Sequence, residues 1–151
     1  MTAGGTSALI DSLHRDYERA TDGHLVIGGR PVVGCNGTEA DGRQRGFWHL
    51  LLGGTRVLTP RRAQVVTDAL HALELASQGD ARSLAWHERR QHKGRMQRLI
   101  VTTCEFDVVA VLQPTISTYL LVTAYPVTGA GARSTWRRRA AAALGEEVMP
   151  E

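Results

Sequence analysis

Apolar residues fall along this chain in two periods, and the change of period divides it. Ala8, Leu9, Leu13 and Tyr17 recur near helical spacing, with Asp11, Arg15, Asp16, Glu18 and Arg19 on the positions between them. This predicts an amphipathic helix over Ser7–Ala20, closed by Thr21-Asp22-Gly23. His24–Ile27 and Arg30–Val33 flank a Gly28-Gly29 pair, the pattern of a β-hairpin whose turn needs positive φ. Gly34–Gly46 is polar and glycine-rich with no hydrophobic period, and is expected to be a mobile loop. Phe47–Leu52 is a dense apolar block, read as a short helix ending at Gly53-Gly54. Thr59-Pro60 is a helix start, with Thr59 as N-cap and Pro60 in the first turn. Val65, Val66, Ala69, Leu70, Leu73 and Leu75 carry that helix to about Ala76, and Gln78-Gly79-Asp80 stops it.

Strand patterns take over at Ser83. Ser83–Glu88, Arg98–Thr103, Asp107–Leu112 and Tyr119–Tyr125 are four strand candidates joined by short loops. Short loops favour antiparallel neighbours, so a four-stranded meander is expected. Pro126–Ala132 reads as a loop and Arg133–Leu144 as a basic, alanine-rich terminal helix. The expected architecture is a single α+β domain over 1–151, N-terminal helices packed on a four-stranded antiparallel sheet. Residues 1–6 and 146–151 are expected to be flexible.

Composition narrows the class. The chain has 151 residues, 42% hydrophobic and 22% charged. No run approaches the roughly 20 apolar residues of a membrane helix, and no signal-peptide pattern opens the chain. Cys35 and Cys104 are far apart without Cys-x-x-Cys spacing, which argues against a zinc knuckle or a disulfide scaffold. Both read as bystanders. A cytoplasmic location is expected.

Charge is uneven. Residues 1–80 carry 8 basic and 9 acidic side chains, whereas residues 81–151 carry 10 and 6. Arg82, Arg89, Arg90, Lys93, Arg95 and Arg98 crowd one segment with Glu88 as the only acid, and Arg133, Arg137, Arg138 and Arg139 form a second cluster. Arginine grips phosphate bidentately, which makes a polyanionic partner the main competitor to a merely solvated surface.

His49, within Phe47-Trp48-His49-Leu50-Leu51, is the leading candidate for acid/base chemistry; the competing reading is a half-buried histidine serving the core. His14 and His71 fall on helix faces, and His24 begins a strand. His87 and His92 belong to the basic hairpin, placed to help hold phosphate. No helical His pair with acids suggests a metal site. Arg61 and Arg62 oppose the dipole at their helix start, and with the helix amides they could bind a phosphate; an exposed, idle pair is the alternative. Strict alternation in Leu120–Tyr125 would place Leu121, Thr123 and Tyr125 on one face, with Thr123 able to hold a phosphate oxygen. The segments Phe47–Leu52 and Tyr119–Pro126 contain no acid, which disfavours a carboxylate-pair or metal-dependent hydrolase.

Taken in order, the Gly-Gly hairpin, the Gly-rich loop, Gly46-Phe47-Trp48-His49, the Pro-Arg-Arg helix start, the strand near Trp86 and Leu120-Leu121-Val122-Thr123-Ala124-Tyr125 resemble the phage-associated nuclease-like domains of the barnase–EndoU–colicin–RelE (BECR) class. The resemblance runs from about His24 to Arg139. It implies a small helical part on a four-stranded antiparallel sheet and a metal-independent, toxin-type ribonuclease without cofactor. It places His49 as acid/base, Arg61 or Arg62 on the scissile phosphate, and Thr123 with Tyr125 on the same surface. Cleavage would proceed by attack of the neighbouring 2′-hydroxyl, which DNA lacks. Arg89, Arg90, Lys93, Arg95, Arg98, Arg137 and Arg138 would bind the nucleic acid. RNA, with tRNA as one target, is the expected partner, together with a cognate immunity or antitoxin protein. The rival readings are a non-catalytic nucleic-acid-binding module and a protein-binding member of a toxin–antitoxin or secretion system.

Overall fold

The computed structural model describes residues 3–34, 45–52, 59–89 and 97–149, without the side chains of residues 3–7, 45, 48, 49 and 52. Helix α1 (Ala3–Ala20) leads into the hairpin β1 (Asp22–Ile27) and β2 (Arg30–Val33). Helices α2 (Arg45–Leu52) and α3 (Pro60–Ser77) follow, then β3 (Ser83–Arg89), β4 (Gln97–Thr103), β5 (Val108–Pro114) and β6 (Tyr119–Pro126). Helix α4 (Ala130–Leu144) closes the chain, with a 3-10 turn over Glu146–Val148 where fraying was expected. The α+β class holds, and α1 begins earlier than the apolar period suggested.

The sheet differs from expectation. It has six strands in the order β1-β2-β6-β5-β4-β3, and it is mixed. The N-terminal hairpin joins the meander edge-on through a parallel pairing of Val32 with Tyr119 and Val33 with Leu120. The hairpin adds Leu25, Ile27 and Val32 to the core that also holds Leu121, and this burial recruits it. The parallel contact joins segments far apart in sequence, so no local pattern announces it.

Two cores flank the sheet. On one side, Leu13, Tyr17, Phe47, Leu50, Leu51, Val66 and Leu73 of α1–α3 pack on Leu99, Val101, Ala110 and Leu112. On the other, Trp136 and Ala140 of α4 pack on Leu84, Trp86, Ile100, Val109 and Val111. The period-2 alternation of β4 and β5 assigns these faces, and both are covered. Thr59 caps α3 as expected, its hydroxyl accepting the Arg62 amide at 3.2 Å.

β6 breaks the alternation. Val111 pairs with Thr123 but Leu112 pairs with Leu121, so Val122 is an extra residue, a β-bulge. Leu121 and Ala124 therefore face the three-helix side. Thr123 and Tyr125, opposite Val111 and Val109, face α4. Leu121, Thr123 and Tyr125 do not share one face.

Candidate functional site

The bulge separates residues that the sequence grouped. His49 lies on α2, whose Phe47, Leu50 and Leu51 are buried on the three-helix side. Its side chain lies outside the described residues. Thr123 and Tyr125 are on the other side of the sheet, so they do not join α2 at a common pocket. Arg61 is exposed on the first turn of α3 and lines a cleft of about 410 Å³ with Gln64, Asp68, Asp107, Thr128 and Arg133.

Arg62 is turned inward and spent on backbone. Its Nε donates to the Leu51 carbonyl at 3.4 Å. Nη1 and Nη2 both donate to the Ala124 carbonyl at 3.2 Å, and Nη2 also reaches the Leu50 carbonyl. Burial pushes this guanidinium down from its ordinary pKa. A phosphate-binding role for Arg62 is thereby corrected: three carbonyls hold its donors. The expected nearness of the Phe47–Leu52 helix to the Pro60 helix start is visible in the same bonds.

The α4 arginines are also largely committed to the protein. Arg139 Nε donates to Glu88 Oε2 at 3.0 Å and its Nη2 reaches Glu88 Oε1, while its guanidinium carbon lies 3.7 Å from the centre of the Trp136 ring. Arg133 pairs with Asp107 at 3.2 Å, and Arg137 lies 5.1 Å from the Phe106 ring centre. Arg138 is exposed, with a long contact of 3.4 Å to Thr135 Oγ1. Burial alone would raise the Glu88 carboxyl, but hydrogen bonds from Arg139 and Trp86 and the charges of Arg139 and Arg98 outweigh it, leaving the pKa lowered. Burial raises the Tyr125 phenol against the pull of Arg139 and Arg98. Arg98 stands opposite Glu88 on the α4 side, and its buried Nε has no acceptor. Arg90, Lys93 and Arg95 lie outside the described residues, as do His92 and Cys35. The Cys104 thiol donates to the Ala81 carbonyl at 2.9 Å, and burial with Asp80 and Glu105 raises its pKa, which disfavours a thiolate.

A different set of groups does converge. On β3, alternation sends Trp86 and Glu88 toward α4 and His87 toward the three-helix side, opposite Leu99. Tyr119 opens β6 and is buried on that same side. The sheet curls so far here that His87 Nε2 sits 2.8 Å from Tyr119 Oη. The two strands between them contribute Leu99 and Leu112, both buried beneath the pair. Arg30 of β2 lies 5.5 Å from the Tyr119 ring centre, fixed by an Nη1 bond of 2.7 Å to the Thr115 carbonyl. The hairpin turn beside it uses Gly28 at φ 58° and Gly29 at φ 82°, the left-handed conformation that glycine adopts at little cost. Arg89, two residues beyond His87 on β3, shares its side and is exposed.

This is a histidine exposed to solvent, hydrogen-bonded to a buried phenol, with the Arg30 guanidinium beside the phenol ring. Neutral imidazole has one donor and one acceptor nitrogen. When Nε2–H of the neutral ring donates to the phenol oxygen, Nδ1 has a lone pair and can take a proton. In the resulting imidazolium Nε2–H still donates to the phenol oxygen, and Nδ1–H is the proton to give away. The histidine–phenol bond therefore serves an acid and a base state equally. The sequence placed His87 in the basic hairpin but gave no sign of Tyr119 or Arg30, because these meet only through the β2–β6 pairing and the curl.

No protein-family model, curated protein or solved structure matches this chain. Among the described residues, no three His, Cys, Asp or Glu side chains gather where they could hold a metal ion, and no helix is long and apolar enough to cross a membrane.

Proposed function

We propose that this chain is a metal-independent ribonuclease of toxin type, in which His87 is a proton-transfer group. The observation that carries the reading is the 2.8 Å bond between His87 Nε2 and Tyr119 Oη beside Arg30. Transesterification of RNA needs a base for the 2′-hydroxyl proton, positive charge near the phosphorane, and an acid for the departing 5′-oxygen. His87 would supply one proton transfer, with Tyr119 as the positioning residue that orients the ring. His49, carried by α2 over the same side of the sheet, is the proposed second. Arg30 and Arg89 would face the phosphate. The 2′-oxygen bonds to phosphorus as the 5′-oxygen leaves with a proton, giving a 2′,3′-cyclic phosphate and a 5′-hydroxyl.

A non-catalytic RNA-binding module is the second reading, and one observation favours it: Arg62 is consumed by carbonyls and Thr123 lies across the sheet from α2. Cleavage of tRNA and of a short labelled RNA in excess chelator separates the two. The ribonuclease reading expects cleavage by the wild type, a loss of about 10²–10⁴-fold in His87→Ala, and no cleavage at a 2′-deoxy position. Tyr119→Phe should shift the pH profile of the residual reaction. Tight RNA binding by a wild type that cuts nothing would replace the enzyme with the module.

A further inference from the structure

Among the described residues, no strand pairs with the outer side of β6 beyond Leu120. Helix α2 packs against β6, and it is an eight-residue helix whose last carbonyls have no partner within the helix. The Arg62 guanidinium joins the two. It caps α2 at the carbonyls of Leu50 and Leu51, and it bonds the Ala124 carbonyl of β6, two residues past the bulge. A cation at a helix C-terminus also suits the helix dipole. His49 immediately precedes Leu50, so the backbone that bears it is held within one residue of this contact.

We propose that Arg62 is the positioning residue that locks the last turn of α2 onto β6 and thereby fixes the backbone that bears His49. The proposal rests on the ribonuclease reading for its catalytic consequence but not for the lock itself. Arg62 touches no substrate in this account; its side chain acts wholly through three carbonyls. Displacement of a reacting group by about 1 Å is enough to cost about 100-fold in rate.

The test is Arg62→Ala in the full chain, followed by amide hydrogen exchange and by cleavage kinetics. Exchange across residues 45–52 should quicken by about tenfold or more while α3 and β4 stay protected. The kcat for RNA should fall by about 100-fold with KM little changed, since the lost contact serves geometry rather than substrate binding. Guanidinium ion at tens of millimolar, far below denaturing concentrations, should restore both readouts in Arg62→Ala and neither in the wild type. A kcat loss with unchanged exchange, or a large rise in KM, would overturn the proposal by placing Arg62 on the substrate. Quickened exchange with undiminished cleavage would overturn it by freeing catalysis from α2. A wild type that cleaves no RNA sinks the ribonuclease reading, and the exchange arm then still decides whether Arg62 holds α2. If Arg62→Ala does not fold, Arg62→Lys, which keeps the charge but loses the fork, replaces it with the same outcomes and a smaller kcat loss.

Discussion

The two sides of the sheet use arginine in opposite ways. Toward α4, Arg139 grips Glu88 and stacks on Trp136, Arg133 pairs with Asp107, and Arg137 lies on Phe106. These cations fasten a helix whose two buried residues, Trp136 and Ala140, give it little apolar purchase of its own. At the far end of the three-helix side, Arg89 and His87 are exposed, and Arg30 is fixed by one carbonyl bond beside the His87–Tyr119 pair. A run of arginines in a sequence gives the same count in both settings. Acceptors within reach decide whether a guanidinium serves the fold or a ligand.

If that contrast is right, changes on the α4 side should move stability and leave RNA binding alone. The largest effect is expected from Trp136→Ala, a loss of about 3–5 kcal/mol of unfolding free energy measured by urea titration. RNA affinity of the folded fraction should be unchanged, and a matching loss of affinity would break the contrast. Glu88→Gln comes next, at about 2 kcal/mol near neutral pH, because charge-assisted bonds from Arg139 and Trp86 are weakened. The Glu88 pKa is lowered in the folded chain, so its stabilisation is full above the unfolded glutamate pKa of about 4.3 and disappears as pH falls through the folded value. Wild type and Glu88→Gln should therefore differ most above about pH 5 and converge in acid. A gap that widened in acid would contradict the assignment.

The smallest effect separates the two exposed arginines. Arg89→Ala should reduce the slope of log affinity against log salt for single-stranded RNA by about 0.7, the loss of one phosphate contact. Arg138→Ala on α4 should leave the slope unchanged. Equal losses at both positions would extend the RNA surface to α4 and restore the expectation first attached to the terminal arginine cluster.

Helix and strand periods were legible along the chain, and so was Thr59 as a cap. Each of these signals lies within a few residues, and their physical cause is local: side-chain spacing, a missing amide at Pro60, a hydroxyl within reach of an amide. The third to sixth strands and the helix over His49 came from the same kind of pattern. Thr123 was misplaced for a local reason as well, because one extra residue at Val122 reverses the faces of everything after it.

By itself, then, the sequence determined that helices come first, that a meander follows, which residues alternate on β3 to β5, and that His87 and Glu88 must point to opposite sides. Only the tertiary structure decided that β2 would pair in parallel with β6 and that the sheet would curl until His87 met Tyr119 across two strands. It also decided that Arg62 would turn inward to the carbonyls of Leu50, Leu51 and Ala124. Those contacts join residues from 11 positions apart, Leu51 with Arg62, to 87, Val32 with Tyr119. Their formation depends on how two cores fill and which backbone acceptors remain unpaired once they have, and no short-range pattern encodes either.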